Sequence, residues 1–278
     1  MFLFKKRIRP LWIVLFLLAL AAIVWATNNE SGQANALAAN AGESSKNAEM
    51  ASLDTIKPSK KAPNVDWKKE QQIRKDLEAQ DKAYTPLVEK AKGEAAAGAV
   101  SEPTRGQLLV AAKKFKDTSY TYAEVWEKGK CISRAKLARE VGDTRVASAD
   151  LIAYGANSEK ADALKARQAS MNEARNLYAK EAKANDELSP ADKAAIKSSV
   201  MPRAQKLMGE TSNLVTQVTS LLSQIKSQAS PGGLVRGLAG GGGGPAALLS
   251  HVQSLLSLAQ GLASNAKSLM ADATLLSE

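Results

Sequence analysis

The chain has 278 residues, a net charge of +10 and only 5% aromatic residues, with one cysteine and one histidine. These counts exclude an internal disulfide and a Cys/His metal cluster. The basic residues lack the concentrated face that nucleic-acid binding needs, so no nucleic-acid partner is predicted. Because no catalytic constellation or phosphate-binding motif is present, we predict that the protein is not an enzyme and binds no cofactor or metal.

The N-terminus carries the strongest local signal in the chain. Residues 1–9 form a basic flank with four lysine and arginine residues, and residues 11–26 form an apolar run of sixteen residues. We predict a transmembrane anchor over residues 10–27 that contacts membrane lipid. The residues predicted to lie in the membrane include Leu11, Trp12, Leu17 and Trp25. The basic flank predicts a single-pass protein of the cytoplasmic (inner) membrane, with its N-terminus inside and its bulk periplasmic or extracellular.

A cleaved signal peptide is the alternative interpretation of the same segment. The basic flank, the apolar run and the small residues around its end would suit cleavage after Ala26. The run is slightly short for a membrane span and slightly long for a signal peptide, so both interpretations are kept. The rest of the chain is exported under either of them.

Residues 28–66 are rich in Asn, Ser, Gly and Ala and have no sustained apolar period. This composition predicts a flexible linker. Forty residues of such a chain span about 35 Å on average. We therefore expect the domain that follows to stand away from the membrane.

Residues 67–200 are predicted to form a helical bundle, because apolar residues recur there at steps of three and four. The predicted buried positions include Ile73, Leu77, Tyr84, Leu108, Phe115, Tyr122, Trp126, Leu137, Val141, Leu151, Leu164, Met171 and Tyr178. Gly155 marks the end of one helix and Ser189 the start of another. No strand pattern is evident, so the predicted fold class is all-α. Because buried alanine contributes little area, an elongated bundle is expected.

Residues 201–278 are predicted to form a C-terminal heptad hairpin, with a glycine-rich loop over residues 231–245. Apolar residues there alternate steps of four and three, the pattern of a coiled-coil seam. The seam residues predicted to bind a partner are Leu214, Val218, Leu221, Ile225, Leu255, Leu262, Leu269 and Leu276. Few charges flank them, which suggests that more than one face is covered, by the bundle, a partner protein, a second copy or a membrane surface.

These features predict a membrane-anchored structural or interaction protein, a scaffold or adaptor on the exported side. It would bind a protein partner, or form a homo-oligomer, through the C-terminal hairpin. The alternative function is a secreted membrane-active or effector protein released by cleavage after Ala26. Its hairpin has no uninterrupted apolar run long enough to span a membrane, which counts against insertion.

Overall fold

A computed structural model describes residues 8–58, 64–228 and 245–278, with the side chains of residues 8–28, 228 and 245 excepted. These residues form helices and no strand, which confirms the all-α prediction for the described chain. The helices are α1 (Ile8–Thr55), α2 (Trp67–Ala96), α3 (Glu102–Lys128), α4 (Ile132–Tyr154), α5 (Ser158–Ala184), α6 (Pro190–Ala195), α7 (Met201–Gln228) and α8 (Pro245–Ser277).

Polar residues at the helix starts explain several of these boundaries. Asp66, Asn157 and Ser189 precede α2, α5 and α6, and each side chain accepts a hydrogen bond from a backbone N–H three residues later. Such caps satisfy amide groups that have no partner within the helix. Gly155 follows α4 with φ at +72°, a conformation that glycine adopts without strain. The predicted start at Ser189 and end at Gly155 are therefore confirmed.

The predicted flexible linker over residues 28–66 is wrong for most of its length. Helix α1 continues without a break from the apolar N-terminal segment to Thr55, and its second half is part of the core. The sequence pattern hides this helix because its buried positions hold mainly alanine and serine, and one holds the fully buried Glu49. Small residues also allow close packing: a Cβ on Gly42 would collide with Ile152 of α4.

Helix α1 is the central helix of the bundle. It packs mainly against α4, α7, α2 and α8. The outer helix α3 lies against α2 and α4, and the outer helix α5 lies against α4 and α8. Three hydrophobic clusters fill the interior, and α1 contributes to each of them. Within the described residues, α2 and α7 do not pack against each other, which leaves one side of α1 uncovered.

A π-helical turn, Ile196–Val200, joins α6 to α7 without a loop. Pro202 follows it and has no N–H to donate to the carbonyl of Ser198, four residues earlier. A widened turn accommodates the missing hydrogen bond and the proline ring. Residues 190–228 consequently continue as one helix with a local bulge.

Among the described residues, no helix is long and apolar enough to cross a membrane. The predicted anchor over residues 10–27 lies in the backbone of α1, but its side chains are outside the described part of the chain. The membrane residues concerned are Leu11, Trp12, Leu17 and Trp25. The glycine-rich loop predicted over residues 231–245 is also outside it, except that α8 begins at Pro245. The anchor and the loop therefore stay predictions.

Close contact between α3 and α4 predicts opposite effects for one substitution at two helical glycines. A Cβ on Gly142 would lie 2.9 Å from Cβ of Ser119 and 3.2 Å from Cα of Lys116, whereas one on Gly209 would meet nothing within 4 Å. Overpacking destabilises the folded state by about 1–3 kcal/mol. The higher helix propensity of alanine stabilises it by only about 1 kcal/mol relative to glycine. Gly142→Ala should therefore lower the free energy of unfolding.

Gly209→Ala, the matched control, should raise the free energy of unfolding by about 0.5–1 kcal/mol. Thermal and urea denaturation followed by circular dichroism would measure both changes. Equal stabilisation by the two substitutions would show that α3 and α4 do not approach as closely as the structure indicates.

Candidate interaction groove

One face of α1 is open to solvent, since α2 and α7 do not meet above it. Between Ala36 and Thr55, the half-exposed residues of α1 alternate at steps of four and three. They are Ala36, Asn40, Glu43, Asn47, Met50 and Asp54. This stripe is the floor of a groove that has α7 along one side and, over the half nearer Thr55, α2 along the other. We name it the α1 groove. Two concave sites lie along it.

The half of the groove nearer Thr55 is charged on both walls and has a volume of about 500 Å³. Its apolar surface comes from Met50 on the floor and Leu207 on α7. The charged wall residues are Glu78, Asp81 and Lys82 on α2, and Arg203, Lys206 and Glu210 on α7. Because each wall carries both signs of charge, this half suits a partner surface of mixed charge.

The other half of the groove is uncharged and has a volume of about 310 Å³. Gln33 and Asn40 of α1 face Gln217 and Gln224 of α7 across it, with small or apolar residues between them. Gln33 and Asn40 are seven residues apart, and Asn47 lies seven further along the same face. No hydrogen bond joins these three α1 side chains to other described residues, so their amides are available to a partner.

A buried ion-pair network centred on Arg145 of α4 fixes the α2 wall to the interior. The Arg145 Nε donates to Glu49 at 2.5 Å, and Nη2 donates to Asp81 at 2.9 Å. The side chains of Arg145 and Glu49 have no exposed surface. The guanidinium carbon lies 4.0 Å from the ring centroid of Phe115. Asp81 is thus both a groove wall residue and the outer end of this network.

A second polar cluster, around Arg74 of α2, fixes the charged end of the groove. The Arg74 Nη2 donates to the carbonyl of Ile56 at 2.6 Å and to the hydroxyl of Tyr122 at 2.7 Å. The Tyr122 hydroxyl in turn donates to Glu70 at 2.7 Å. Burial raises the pKa of Tyr122, so it remains a neutral hydrogen-bond donor.

Asp54 links the two walls at this end of the floor. It forms an ion pair with Arg203 of α7 and lies 4.0 Å from Nη1 of Arg74 on α2. Burial raises the pKa of the Asp54 carboxyl, and the two guanidinium groups oppose that rise. The groove therefore ends at a bridge between α2 and α7 that Asp54 mediates.

The predicted partner-binding residues of the C-terminal hairpin lie inside the folded chain. None of the eight side chains is more than 4% exposed. They are Leu214, Val218, Leu221, Ile225, Leu255, Leu262, Leu269 and Leu276. Helices α7 and α8 run antiparallel, and they also pack against α1 and α5 respectively. The prediction that this seam binds a partner is therefore wrong for the folded bundle, because a buried side chain has no surface to offer.

The groove floor could not be found from apolar periodicity. Its residues are polar or small and lie in the segment that composition assigns to a linker. The seven-residue spacing of Gln33, Asn40 and Asn47 is the one signal in the sequence, and it is weak because amides are common in loops as well.

No protein-family model, characterised protein or solved structure matches this chain. The described residues also contain no group of three or more His, Cys, Asp or Glu side chains placed to hold a metal ion. The fold and the groove define an all-α bundle whose central helix is uncovered on one side.

Proposed function

We propose that the protein is a single-pass membrane protein that holds an elongated, alanine-rich helical bundle outside the cytoplasmic membrane. In this proposal it acts as a scaffold or adaptor, and a helix of a partner protein binds in the α1 groove. The observation that carries the proposal is the continuity of α1. The same helix contains the apolar run over residues 11–26 and the floor of the groove, so a bound partner would be held directly by the anchored helix.

The geometry of the floor favours an α-helix as the occupant. Residues that alternate at steps of four and three form the face that one helix offers to another. The walls α2 and α7 flank this face as the neighbours of an inserted helix would. Met50 would meet apolar residues of an amphipathic partner helix, and the charged walls would meet its polar flanks.

Site-specific photo-cross-linking in cells tests the groove. A photoreactive amino acid at Asn47 should cross-link one partner protein, and the cross-linked peptide should belong to an amphipathic helix. The same amino acid at Val110, which is 71% exposed on α3 and outside the groove, is the matched control. Equal cross-linking from the two positions, or none from Asn47, would overturn the proposal for the groove.

Binding of the identified helix provides a quantitative second test. A synthetic peptide with its sequence should bind the purified full-length protein. Asn47→Trp fills the floor and should weaken that binding at least tenfold, about 1.4 kcal/mol. Val110→Trp should leave the dissociation constant unchanged. A peptide that binds both variants equally would occupy another surface.

The second candidate function is that of a secreted membrane-active or effector protein, released by cleavage after Ala26. A chain that begins at Thr27 would keep all the described core residues, so the bundle does not decide between the two. An intact-mass measurement of the mature protein distinguishes the two functions. A mass that includes Met1, in a membrane fraction resistant to carbonate extraction, supports the anchor, and a start at Thr27 supports release.

A further inference from the structure

Helix α1 enters the bundle between two turns, and we name this the entry end. The turns are residues 97–101, between α2 and α3, and residues 155–157, between α4 and α5. Asn35 of α1 joins them: its Nδ2 donates to the carbonyl of Gly98 at 2.6 Å, and its Oδ1 accepts from the N–H of Ala156 at 2.8 Å. Both turns are therefore fixed at a known position along α1.

The distance from the apolar run to the entry end is short. Asn35 follows Ala26 by nine positions along the helix, a rise of about 14 Å. The headgroup layer on each side of a bilayer is about 5–8 Å thick. The sixteen-residue apolar run is about 24 Å long, less than the hydrocarbon thickness of about 30 Å, and a bilayer adapts to a short span by thinning, so its hydrocarbon would end near Ala26. Contact with the bundle already begins at Gly32, about 9 Å beyond Ala26, where an added Cβ would lie 3.3 Å from the carbonyl oxygen of Ala96. The continuous helix thus brings the entry end to the outer edge of the headgroups.

The two ends of the bundle differ in the chemistry of their turns. The entry-end turns, with sequences AGAVS and GAN, contain no ionisable residue. At the opposite end, the turn after α3 contains Lys130, and the turn after α5 contains Asp186 and Glu187. An uncharged surface approaches a bilayer at a smaller desolvation cost than a charged one. Among the described turns, those of the entry end therefore approach lipid at the smaller cost, and the charged side chains nearest to them, such as Glu102 and Glu159, lie on the adjoining helices.

An exposed tyrosine with two cations lies at the same end. Tyr154, the last residue of α4, is 48% exposed. Two cations lie near its ring. The guanidinium carbon of Arg105 is 4.9 Å from the ring centroid, and the ammonium nitrogen of Lys160 is 5.5 Å from the same centroid. Arg105 also donates to the carbonyl of Ala153, which fixes it beside the turn. Tyrosine favours the membrane interface. Arg105 and Lys160 form ion pairs with Glu102 and Asp150, so they would exchange these carboxylates for lipid phosphates at the membrane surface.

We infer that the entry end of the bundle rests on the lipid headgroups, with Tyr154 at the interface and the 97–101 and 155–157 turns against the membrane surface. The inference rests on the proposed anchor and deepens it, because it names the lipid bilayer as a second contact of the bundle. It also sets the direction of the α1 groove, which would rise away from the membrane from its uncharged half to its charged half.

Fluorescence quenching in the full-length protein tests this contact. Ala99→Cys at the entry end and Lys128→Cys at the far end are each made with Cys131→Ser and labelled with a fluorophore. The labelled proteins are reconstituted in phosphatidylcholine and phosphatidylglycerol vesicles with nitroxide on the lipid headgroups. The label at position 99 should be quenched several-fold more than the label at position 128. Tyr154→Ser should reduce the quenching at position 99, and Leu177→Ser, an exposed control on α5, should not.

Vesicle flotation separates the two ways in which this test can fail. Protein that floats with vesicles but shows equal quenching at both positions keeps the anchor and overturns the headgroup contact. Protein that does not float overturns the anchor, and the contact with it. Quenching at position 99 that survives Tyr154→Ser would overturn the role of Tyr154.

Discussion

Replacing Arg145 by methionine is expected to destabilise the folded protein by about 3–5 kcal/mol, because it leaves the Glu49 carboxylate buried without its partner. Both side chains are fully buried, and the guanidinium also holds Asp81 of the groove wall. Domains of this kind are stable by only about 5–15 kcal/mol, so the loss is a large part of the total. Urea denaturation of Arg145→Met beside the wild-type protein would measure it.

The double variant Arg145→Met with Glu49→Met separates the charge effect from the packing effect. With both charges removed, the interior no longer holds an unpaired carboxylate, and Asp81 still has Lys46 within 3.9 Å. The double variant should therefore be more stable than Arg145→Met alone. If the double variant is the less stable of the two, the network does not act as a charge pair.

The stability loss of Arg145→Met should also depend on pH. Burial raises the pKa of the Glu49 carboxyl above its ordinary 4.5, and Arg145 opposes that rise. Without Arg145 the pKa of Glu49 rises further. In the folded variant, Glu49 is therefore protonated at pH values at which it is ionised in the unfolded chain. A raised carboxyl pKa favours folding at low pH and costs stability as pH increases. The deficit relative to wild type should shrink as pH falls towards 4.5, and the double variant should lack this pH dependence.

Removing α8, residues 245–278, is expected to abolish cooperative unfolding of the whole bundle. Helix α8 packs against α1, α5 and α7 and contributes buried residues to two of the three hydrophobic clusters. Truncating one buried leucine to alanine costs about 2–5 kcal/mol. The loss of Leu255, Leu262 and Leu269 together would then cost about 6–15 kcal/mol, as much as the whole stability of an ordinary domain. Circular dichroism and calorimetry should show no cooperative thermal transition.

A cleaved but complete chain is the control for this truncation. A protease site placed between residues 231 and 244 allows the chain to be cut after folding without loss of α8. Because α8 is held by packing, the two pieces should stay together on gel filtration and keep most of the helical signal. A truncated protein that still unfolds cooperatively near the wild-type temperature would instead make the C-terminal hairpin a separable arm.

These two predictions concern features on which sequence and structure differ. The hairpin seam reads as a partner surface because its leucines follow a heptad pattern with few charges nearby. In the structure, the same heptad residues pack against helices of their own chain. The spacing of apolar residues alone does not show whether a helix packs within its chain or against another one. The candidate binding surface is therefore the polar face of α1 and not the seam.

The segment over residues 28–66 shows how alanine misleads a pattern based on hydropathy. Ala34, Ala38, Ala41 and Ala48 are all buried in α1, but alanine is equally common on exposed helix faces and in linkers. The good helix propensity of alanine was the available clue to a helix there. The sequence offered no way to find which face of that helix the bundle would cover.

The sequence by itself determined that helices follow from α2 onward and which faces they bury, but not that α2 continues through Pro86 or α4 through Gly142. The periodic residues from Ile73 to Leu276 that predict those faces are buried almost without exception, because a 3.6-residue repeat allows one orientation towards the core. Only the tertiary structure decided that Arg145 and Glu49 are buried, since a charged residue can enter the interior only where a distant partner meets it. It also decided which side of α1 stays open, because that depends on where α2 and α7 fail to meet.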